Sequence, residues 1–136
     1  MRSRVPSVVA ETAIAFLLLC SIAPAAGVKW RHLSSANGDL PVPNPGDQQT
    51  ASLVCDIDKD GVNDFVIAER MQAPALVWYR RGATGWTRCV VDDQPLHIEA
   101  GSDALDIDGD GDYDILDKPC SWQTPRLDIW LNEGAQ

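Results

Sequence analysis

Basic and aromatic residues are scarce in this sequence. Among its 136 residues, 11 lysines and arginines stand against 20 aspartates and glutamates, and aromatic residues make up 7%. Binding to nucleic acid requires clustered lysine and arginine to neutralise phosphates, so nucleic acid is not an expected partner. The acidic residues concentrate in two short runs, 56–64 and 106–117, and this clustering indicates sites for cations.

Closely spaced cysteines are also missing. Beyond residue 26 the cysteines are Cys55, Cys89 and Cys120, an odd set that cannot form a complete disulfide framework. The absence of a C-x-x-C pair argues against a zinc site. Cys55 ends the apolar run 52–55, where we expect a buried free thiol. A disulfide between Cys89 and Cys120 is then an alternative that the sequence does not decide.

A sustained helical periodicity is lacking after residue 26. The apolar segments there are short, rich in valine, isoleucine, leucine and aromatic residues, and separated by glycine, proline and aspartate, which is typical of β-strands. The sequence therefore predicts an all-β region. The expected strands cover residues 51–56, 64–68, 75–80, 86–91, 101–106, 114–116 and 126–131.

The first 26 residues have the pattern of a secretory signal peptide. Arg2 and Arg4 form a basic head, residues 13–20 an apolar body, and residues 23–25 a small-residue cleavage site. The apolar body is shorter than the roughly 20 residues that a membrane span needs. We therefore expect a secreted or periplasmic protein with no transmembrane segment after cleavage.

Residues 27–136 contain an internal repeat. Residues 52–64 align without gaps on residues 102–114, and residues 74–79 align on residues 125–130 after one inserted residue. Repeat 1 covers about 51–91 and repeat 2 about 101–136, a period in the range of β-propeller blades. Residues 30–33 resemble residues 86–89, which predicts an isolated outer strand near the start of the mature chain.

Each repeat contains an acidic loop of the form D-x-D-x-D-G-x-x-D. Alternate carboxylates can converge on one hard cation, the glycine permits a sharp turn, and the seventh residue can contribute its carbonyl. Oxygen ligands in a flexible loop favour Ca²⁺. The expected ligands are Asp56, Asp58, Asp60, the Val62 carbonyl and Asp64 in the first loop, and Asp106, Asp108, Asp110, the Asp112 carbonyl and Asp114 in the second.

Two other interpretations of these loops compete with a strand-flanked calcium site. Solvated Asp-Gly turns are one, although two matching copies argue against them. An EF-hand or dockerin-like module is the other, but it requires flanking helices and usually an acidic twelfth residue, where this chain has Ile67 and Asp117. Asp117 is then either an extra ligand or a surface charge, and we favour the surface charge.

The acidic loops and the segment 127–134 resemble the FG-GAP/VCBS repeats of integrin-α-type β-propellers. The resemblance implies that each loop joins the first two strands of a blade and binds Ca²⁺, in an exported or cell-surface protein. About one full four-strand blade and most of a second are present, so we expect an incomplete ring that can self-associate through its open edges.

We expect a non-catalytic module for adhesion or extracellular ligand binding, with an extracellular protein or carbohydrate as partner. The alternative is a fragment of a propeller enzyme, a lyase or hydrolase acting on extracellular polysaccharide, for which His97, Glu99 and Asp103 are the candidate acid and base groups. We expect Trp30, Trp78, Trp86 and Trp130 to pack within blades, and Trp122 to be the tryptophan to test for ligand contact.

Overall fold

The computed structural model describes residues 27–119 and 125–134. The predicted signal peptide, Cys120 and Trp122 lie outside these residues. The regular elements all belong to the compact unit His32–Gln136. None of the helices in the described part of the chain has the length and hydrophobicity that a membrane crossing requires.

The described residues form an all-β structure, as the sequence predicts, with one short 3₁₀ helix at Ser35–Asn37. Two antiparallel sheets follow the chain order of their strands. The first sheet contains β1 (Gln49–Cys55), β2 (Asp64–Glu69), β3 (Leu76–Gly82) and β4 (Gly85–Asp92), and the second contains β5 (Asp103–Leu105), β6 (Asp114–Asp117) and β7 (Asp128–Trp130). Within the described ranges these sheets do not close a ring.

Strand register gives each sheet two distinct faces, because residues directly opposite one another on neighbouring strands share a face. In the first sheet, Leu53, Val66 and Trp78 are opposite one another and define the Leu53 face. The Val54 face carries Val54, Phe65 and Tyr79. At the matching repeat positions of the second sheet, the Asp103 face carries Asp103, Leu116 and Ile129, and the Ala104 face carries Ala104, Ile115 and Trp130.

The core lies between the Leu53 face of the first sheet and the Ala104 face of the second. Leu53, Val66 and Ile115 belong to one buried cluster, against which Trp78 and Trp130 pack. Strand β1 also contacts β5, so the first strands of the two repeats are neighbours. Corresponding faces therefore do not meet; each repeat contributes a different face to the contact.

Residues 40–46 form a strap over the Val54 face of the first sheet. The Tyr79 hydroxyl donates a hydrogen bond to the Pro41 carbonyl at 2.6 Å, and Arg88 Nε donates to the Pro43 carbonyl at 2.8 Å. Phe65 stacks on Tyr79 with ring centroids 4.6 Å apart. A proline lacks a backbone N–H but keeps its carbonyl, and the carbonyls of Pro41 and Pro43 accept these hydrogen bonds from the sheet.

The expected opening strand at residues 30–33 is wrong. Residues 27–34 form no strand, and Trp30 is 92% exposed. A strand exists only where its backbone groups pair with a neighbour, and in the described residues nothing pairs with this segment. Trp78, Trp86 and Trp130 do lie in strands, as expected.

Cys55 lies at the end of β1, as the sequence predicts, but is half-buried instead of fully buried. Burial raises the pKa of its thiol, and the negative charges of Asp64 and Asp56 raise it further. A thiol whose pKa is raised carries little thiolate at neutral pH, so Cys55 is suited to packing and unsuited to reaction.

Glu69 is a fully buried carboxylate at the end of β2. Its Oε1 accepts the Met71 backbone N–H at 3.0 Å, and its Oε2 accepts Gln49 Nε2 at 3.2 Å. Gly46, in the strap, lies against this carboxylate, because a Cβ added there would come within 2.4 Å of Oε1. The carboxylate thereby connects the strap to the turn after β2.

We expect Gly46→Ala to lower the free energy of unfolding by about 1–3 kcal/mol, because the new methyl displaces a buried carboxylate from its hydrogen bonds. Chemical denaturation measures this change. Gly85→Ala is the matched control, since nothing lies within 4 Å of a Cβ at that position. Equal stability of the two variants would contradict the close approach of strap and carboxylate.

Candidate metal-binding loops

The two acidic loops occupy corresponding places in the two sheets. Residues 56–63 join β1 to β2, and residues 106–113 join β5 to β6. Strands on both sides distinguish these loops from an EF-hand, whose loop lies between helices. Each loop thus connects the first two strands of its sheet, as the repeat alignment predicts.

The backbone takes the same left-handed turns in both loops. The fourth residue has a φ of 57° at Lys59 and 83° at Gly109, and the sixth has 86° at Gly61 and 92° at Gly111. The sixth position is glycine in both loops because a side chain is disfavoured at such angles. Lys59 adopts the same conformation with a side chain, which suggests that the loop's other interactions hold it there.

Three hydrogen bonds from backbone N–H groups to aspartate side chains recur at equivalent positions. They run from the sixth residue to the first, from the fifth to the third, and from the seventh to the fifth. The pairs are Gly61 to Asp56, Asp60 to Asp58 and Val62 to Asp60 at 2.8, 3.3 and 2.9 Å, and Gly111 to Asp106, Asp110 to Asp108 and Asp112 to Asp110 at 3.0, 3.2 and 2.8 Å. The sequence repeat is therefore also a repeat of loop conformation.

The ninth aspartate joins each loop to the end of its third strand. Asp64 Oδ1 accepts the Arg81 N–H at 2.7 Å, and Asp114 Oδ1 accepts the Asn132 N–H at 2.8 Å. Both carboxylates are buried. The N–H groups of Asn132 and then Ile107 hold the pKa of Asp114 below its usual value. Asp64 Oδ2 instead accepts the Trp78 indole N–H at 3.0 Å.

Three carboxylates converge in each loop. In both groups, one ligand oxygen from each residue lies within 4.8 Å of the others. The groups are Asp56, Asp58 and Asp60 in the first loop, and Asp106, Asp108 and Asp114 in the second. Asp64 and Asp110 are expected ligands outside these groups, and the ligand roles of the Val62 and Asp112 carbonyls stay predictions.

Two basic side chains that no sequence motif indicates lie against the loops. Arg80, in β3, forms an ion pair with Asp58 Oδ2 through its Nε. Lys59, in the first loop, reaches the second, where its Nζ is 2.5 Å from Asp112 Oδ1. The hydrogen bond to Asp112 raises the Lys59 pKa, and the charges of Asp112, Asp110 and Asp106 add to the effect. The positive charge of Lys59 in the first loop therefore offsets part of the negative charge of the second loop.

Asp117 is not a surface charge. It is 2% exposed on β6, outside both carboxylate groups, and its side chain accepts hydrogen bonds from the Ser102 hydroxyl and from the Lys118 N–H at 2.6 Å. The expected surface position is wrong because β6 alternates, and Asp117 shares the buried face with Ile115. Asp128 lies opposite it on β7.

The two carboxylates among the candidate acid and base residues, Glu99 and Asp103, each interact with a different partner. The Glu99 carboxylate pairs with Arg70, and Asp103 accepts the Ala104 N–H at 2.9 Å. Among the described residues no hydrogen bond joins His97 to either carboxylate. The arrangement gives the polysaccharide-enzyme alternative no support.

The tryptophans of β3 and β7 line a cavity of about 490 Å³ between the sheets, beside Tyr113. Their indole N–H groups are engaged, because Trp130 Nε1 donates to Asp92 Oδ2 at 3.0 Å and Trp78 donates to Asp64. These bonds fix both rings in the packing between the sheets.

No family model, curated protein or solved structure matches this chain. The function is therefore inferred from the residues of the two loops and their contacts.

We expect Asp117→Asn to stabilise the protein at neutral pH. Burial, followed by the charge of Asp128, raises the Asp117 pKa against the opposing effect of its hydrogen bonds. A carboxyl whose pKa is higher in the folded state disfavours folding when ionised, and this penalty disappears as pH falls through the folded pKa towards 3.8. Asparagine can keep both hydrogen bonds, since its carbonyl accepts from Lys118 and its amide donates to the Ser102 hydroxyl.

Melting temperatures from pH 3 to pH 8 measure the effect. The advantage of Asp117→Asn over the native protein should shrink as the pH is lowered. Asp117→Ala is the control, because it removes the hydrogen bonds together with the charge and should destabilise the protein across this range. A pH-independent difference between the asparagine variant and the native protein would argue against a raised Asp117 pKa.

Proposed function

We propose that this chain is an exported, calcium-binding module of FG-GAP/VCBS-type β-propeller repeats, non-catalytic and serving adhesion or extracellular ligand binding. The observation that carries the proposal is the repetition of one loop conformation, with converging carboxylates, at the same place in two successive sheets. A solvated turn does not require such repetition, whereas two cation sites of one kind do.

The donor set fits Ca²⁺. The converging groups offer only carboxylate oxygens, the ligand type that this hard cation prefers. In the first loop Asp58 Oδ2 is buried and, among the described residues, receives no hydrogen bond, although it faces Arg80. When bound, Ca²⁺ would supply the positive charge that the crowded carboxylates lack. Asp56, Asp58 and Asp60 would hold one ion, and Asp106, Asp108 and Asp114 the other.

The packing of the sheets supports the propeller part of the proposal. Contact between unlike faces, with β1 beside β5, is the relation expected of consecutive blades whose first strands surround a common axis. Export follows from the signal-peptide pattern of residues 1–26, and a secreted or periplasmic protein would meet calcium at the concentrations that low-affinity sites require.

Calorimetric titration should detect about two Ca²⁺ ions per chain, and saturating calcium should raise the melting temperature, because a ligand of the folded state stabilises it. Asp106→Ala should abolish binding at the second loop while the first still binds. Mg²⁺ at equal concentration is the control for nonspecific charge screening. A melting temperature unaffected by calcium and by chelator in a folded sample would refute calcium binding.

Removing the basic side chain that pairs with each loop gives a sharper test. Lys59→Gln should raise calcium affinity at the second loop by about 3- to 10-fold at low salt, because it removes a positive charge beside those carboxylates. Arg80→Gln should do the same at the first loop by freeing Asp58.

Each variant is the control for the other. The second loop is measured alone in an Asp56→Ala background and the first alone in an Asp106→Ala background. Both affinity gains should shrink as salt is added, since screening weakens the charge interaction. If both variants altered only one loop, the assignment of Lys59 to the second site would be wrong.

A further inference from the structure

The cavity between the two sheets, with a volume of about 490 Å³, has aromatic side chains in its lining. Trp78 lies on the Leu53 face of the first sheet and Trp130 on the Ala104 face of the second, so the two indoles belong to opposite walls. Tyr113, from the second acidic loop, is the third aromatic residue of the lining and is 43% exposed, so a solute can reach it from solvent. Cavities of this volume hold small molecules in other proteins.

Both indoles are held in place by carboxylates. Trp78 Nε1 donates a hydrogen bond to Asp64 Oδ2 at 3.0 Å, and Trp130 Nε1 donates to Asp92 Oδ2 at 3.0 Å. Because these N–H groups are engaged, the rings offer a ligand apolar, electron-rich surface and no hydrogen-bond donor. Aromatic rings attract cations through their quadrupole, and tryptophan does so most strongly. The walls of the cavity therefore favour a positively charged, apolar ligand.

The charges around the cavity favour a cation as well. Glu133 is the charged residue among the described residues of the lining, and within the described ranges no ion pair engages it. An adjoining cavity of about 310 Å³ contains Asp58, Arg80 and Asp112, but Arg80 pairs with Asp58 and Lys59 with Asp112. The whole chain carries a formal net charge of −9, which attracts cations and repels anions.

We propose that this cavity binds a small organic cation of the quaternary ammonium type. A quaternary nitrogen carries positive charge without any N–H group, so it needs no hydrogen-bond acceptor and its methyl groups pack on aromatic walls. A primary ammonium needs acceptors for three N–H groups, which the indoles do not supply. Trp78, Trp130 and Tyr113 would contact the methyl groups, and Glu133 would balance the charge.

The proposal rests on the ligand-binding part of the proposed function and not on its calcium part. None of the expected calcium ligands is among the described residues that line the cavity. Binding of the cation and binding of calcium can therefore be measured separately.

Calorimetric titration of the purified chain with tetramethylammonium and with choline tests the proposal. We expect one saturable site per chain for each cation. The control ligand is the neutral carbon analogue of choline, in which a tert-butyl group replaces the trimethylammonium group. It should bind at least about tenfold more weakly, because it has the same shape without the charge that the rings attract.

Two aromatic variants test the walls of the cavity. Trp130→Leu should raise the dissociation constant about 5- to 30-fold, because leucine keeps apolar volume but has no ring. Tyr113→Leu should weaken binding in the same direction, and its exposed loop position preserves the fold if Trp130→Leu disturbs the packing between the sheets. Trp30→Leu is the matched control and should bind as the native chain does, since Trp30 is 92% exposed and does not line the cavity.

A charge variant tests the role of Glu133. Glu133→Gln should raise the dissociation constant about 2- to 5-fold at low salt, and the difference should shrink as salt screens the charge. Asp47→Asn removes the same charge from an exposed residue outside the lining, and it should leave the dissociation constant unchanged.

The titrations are run both in calcium and in chelator, and circular dichroism checks the fold of every sample. Failure of both cations to saturate the folded native chain, or equal binding of the neutral analogue, would overturn the proposal. Folded Trp130→Leu and Tyr113→Leu variants that bind as the native chain does would overturn the choice of this cavity. Cation binding by a chain that calcium does not stabilise would support the cavity and count against the calcium sites alone.

Discussion

The hydrogen bond from the end of the third strand to the ninth carboxylate of the loop is the interaction on which the architecture depends. It joins Asp64 to Arg81 in the first sheet and Asp114 to Asn132 in the second. The aspartate begins the second strand, so one buried carboxylate fixes the end of the loop, the start of β2 or β6 and the end of β3 or β7. Each buried charge receives two N–H donors, which compensate for its loss of water.

The loops keep their negative charge after these hydrogen bonds are made. Basic side chains of the protein offset part of that charge. Arg80 projects from β3 to Asp58, and Lys59 crosses from one loop to the other. Asn132 connects the same elements a second time, because its side-chain amide donates to the Ile57 carbonyl at 3.2 Å. Lys59 and Asn132 therefore link the first loop to the second repeat by direct contacts.

Most of the strand positions could be predicted from sequence because the local signals agree. The acidic turns interrupt the apolar runs, and the alignment of residues 52–64 with 102–114 supplies each strand with a second example. Interactions distant in sequence could not be predicted. The strap depends on carbonyls of Pro41 and Pro43 meeting Tyr79 and Arg88, and no local pattern encodes that meeting.

The erroneous expectations have the same origin. Residues 30–33 have the composition of a strand, but composition does not provide a neighbouring strand to pair with. Asp117 occupies the loop position of an EF-hand ligand, yet strand alternation directs it into the core beside Ile115. The place of Asp117 in a calcium-loop motif and its place on β6 are separate constraints. In this structure the alternation of the strand determines that the side chain is buried.

The two repeats differ most where their chemistry constrains them least. At the loops, the first, third, fifth, sixth and ninth residues are identical: the aspartates accept backbone N–H groups and supply negative oxygens, and glycine tolerates the sixth φ best. On the faces, Trp78 is replaced by Ile129 and Tyr79 by Trp130, since packing requires apolar area more than a particular side chain. The identical loops therefore identify the repeat, and the divergent faces determine what each sheet can bind.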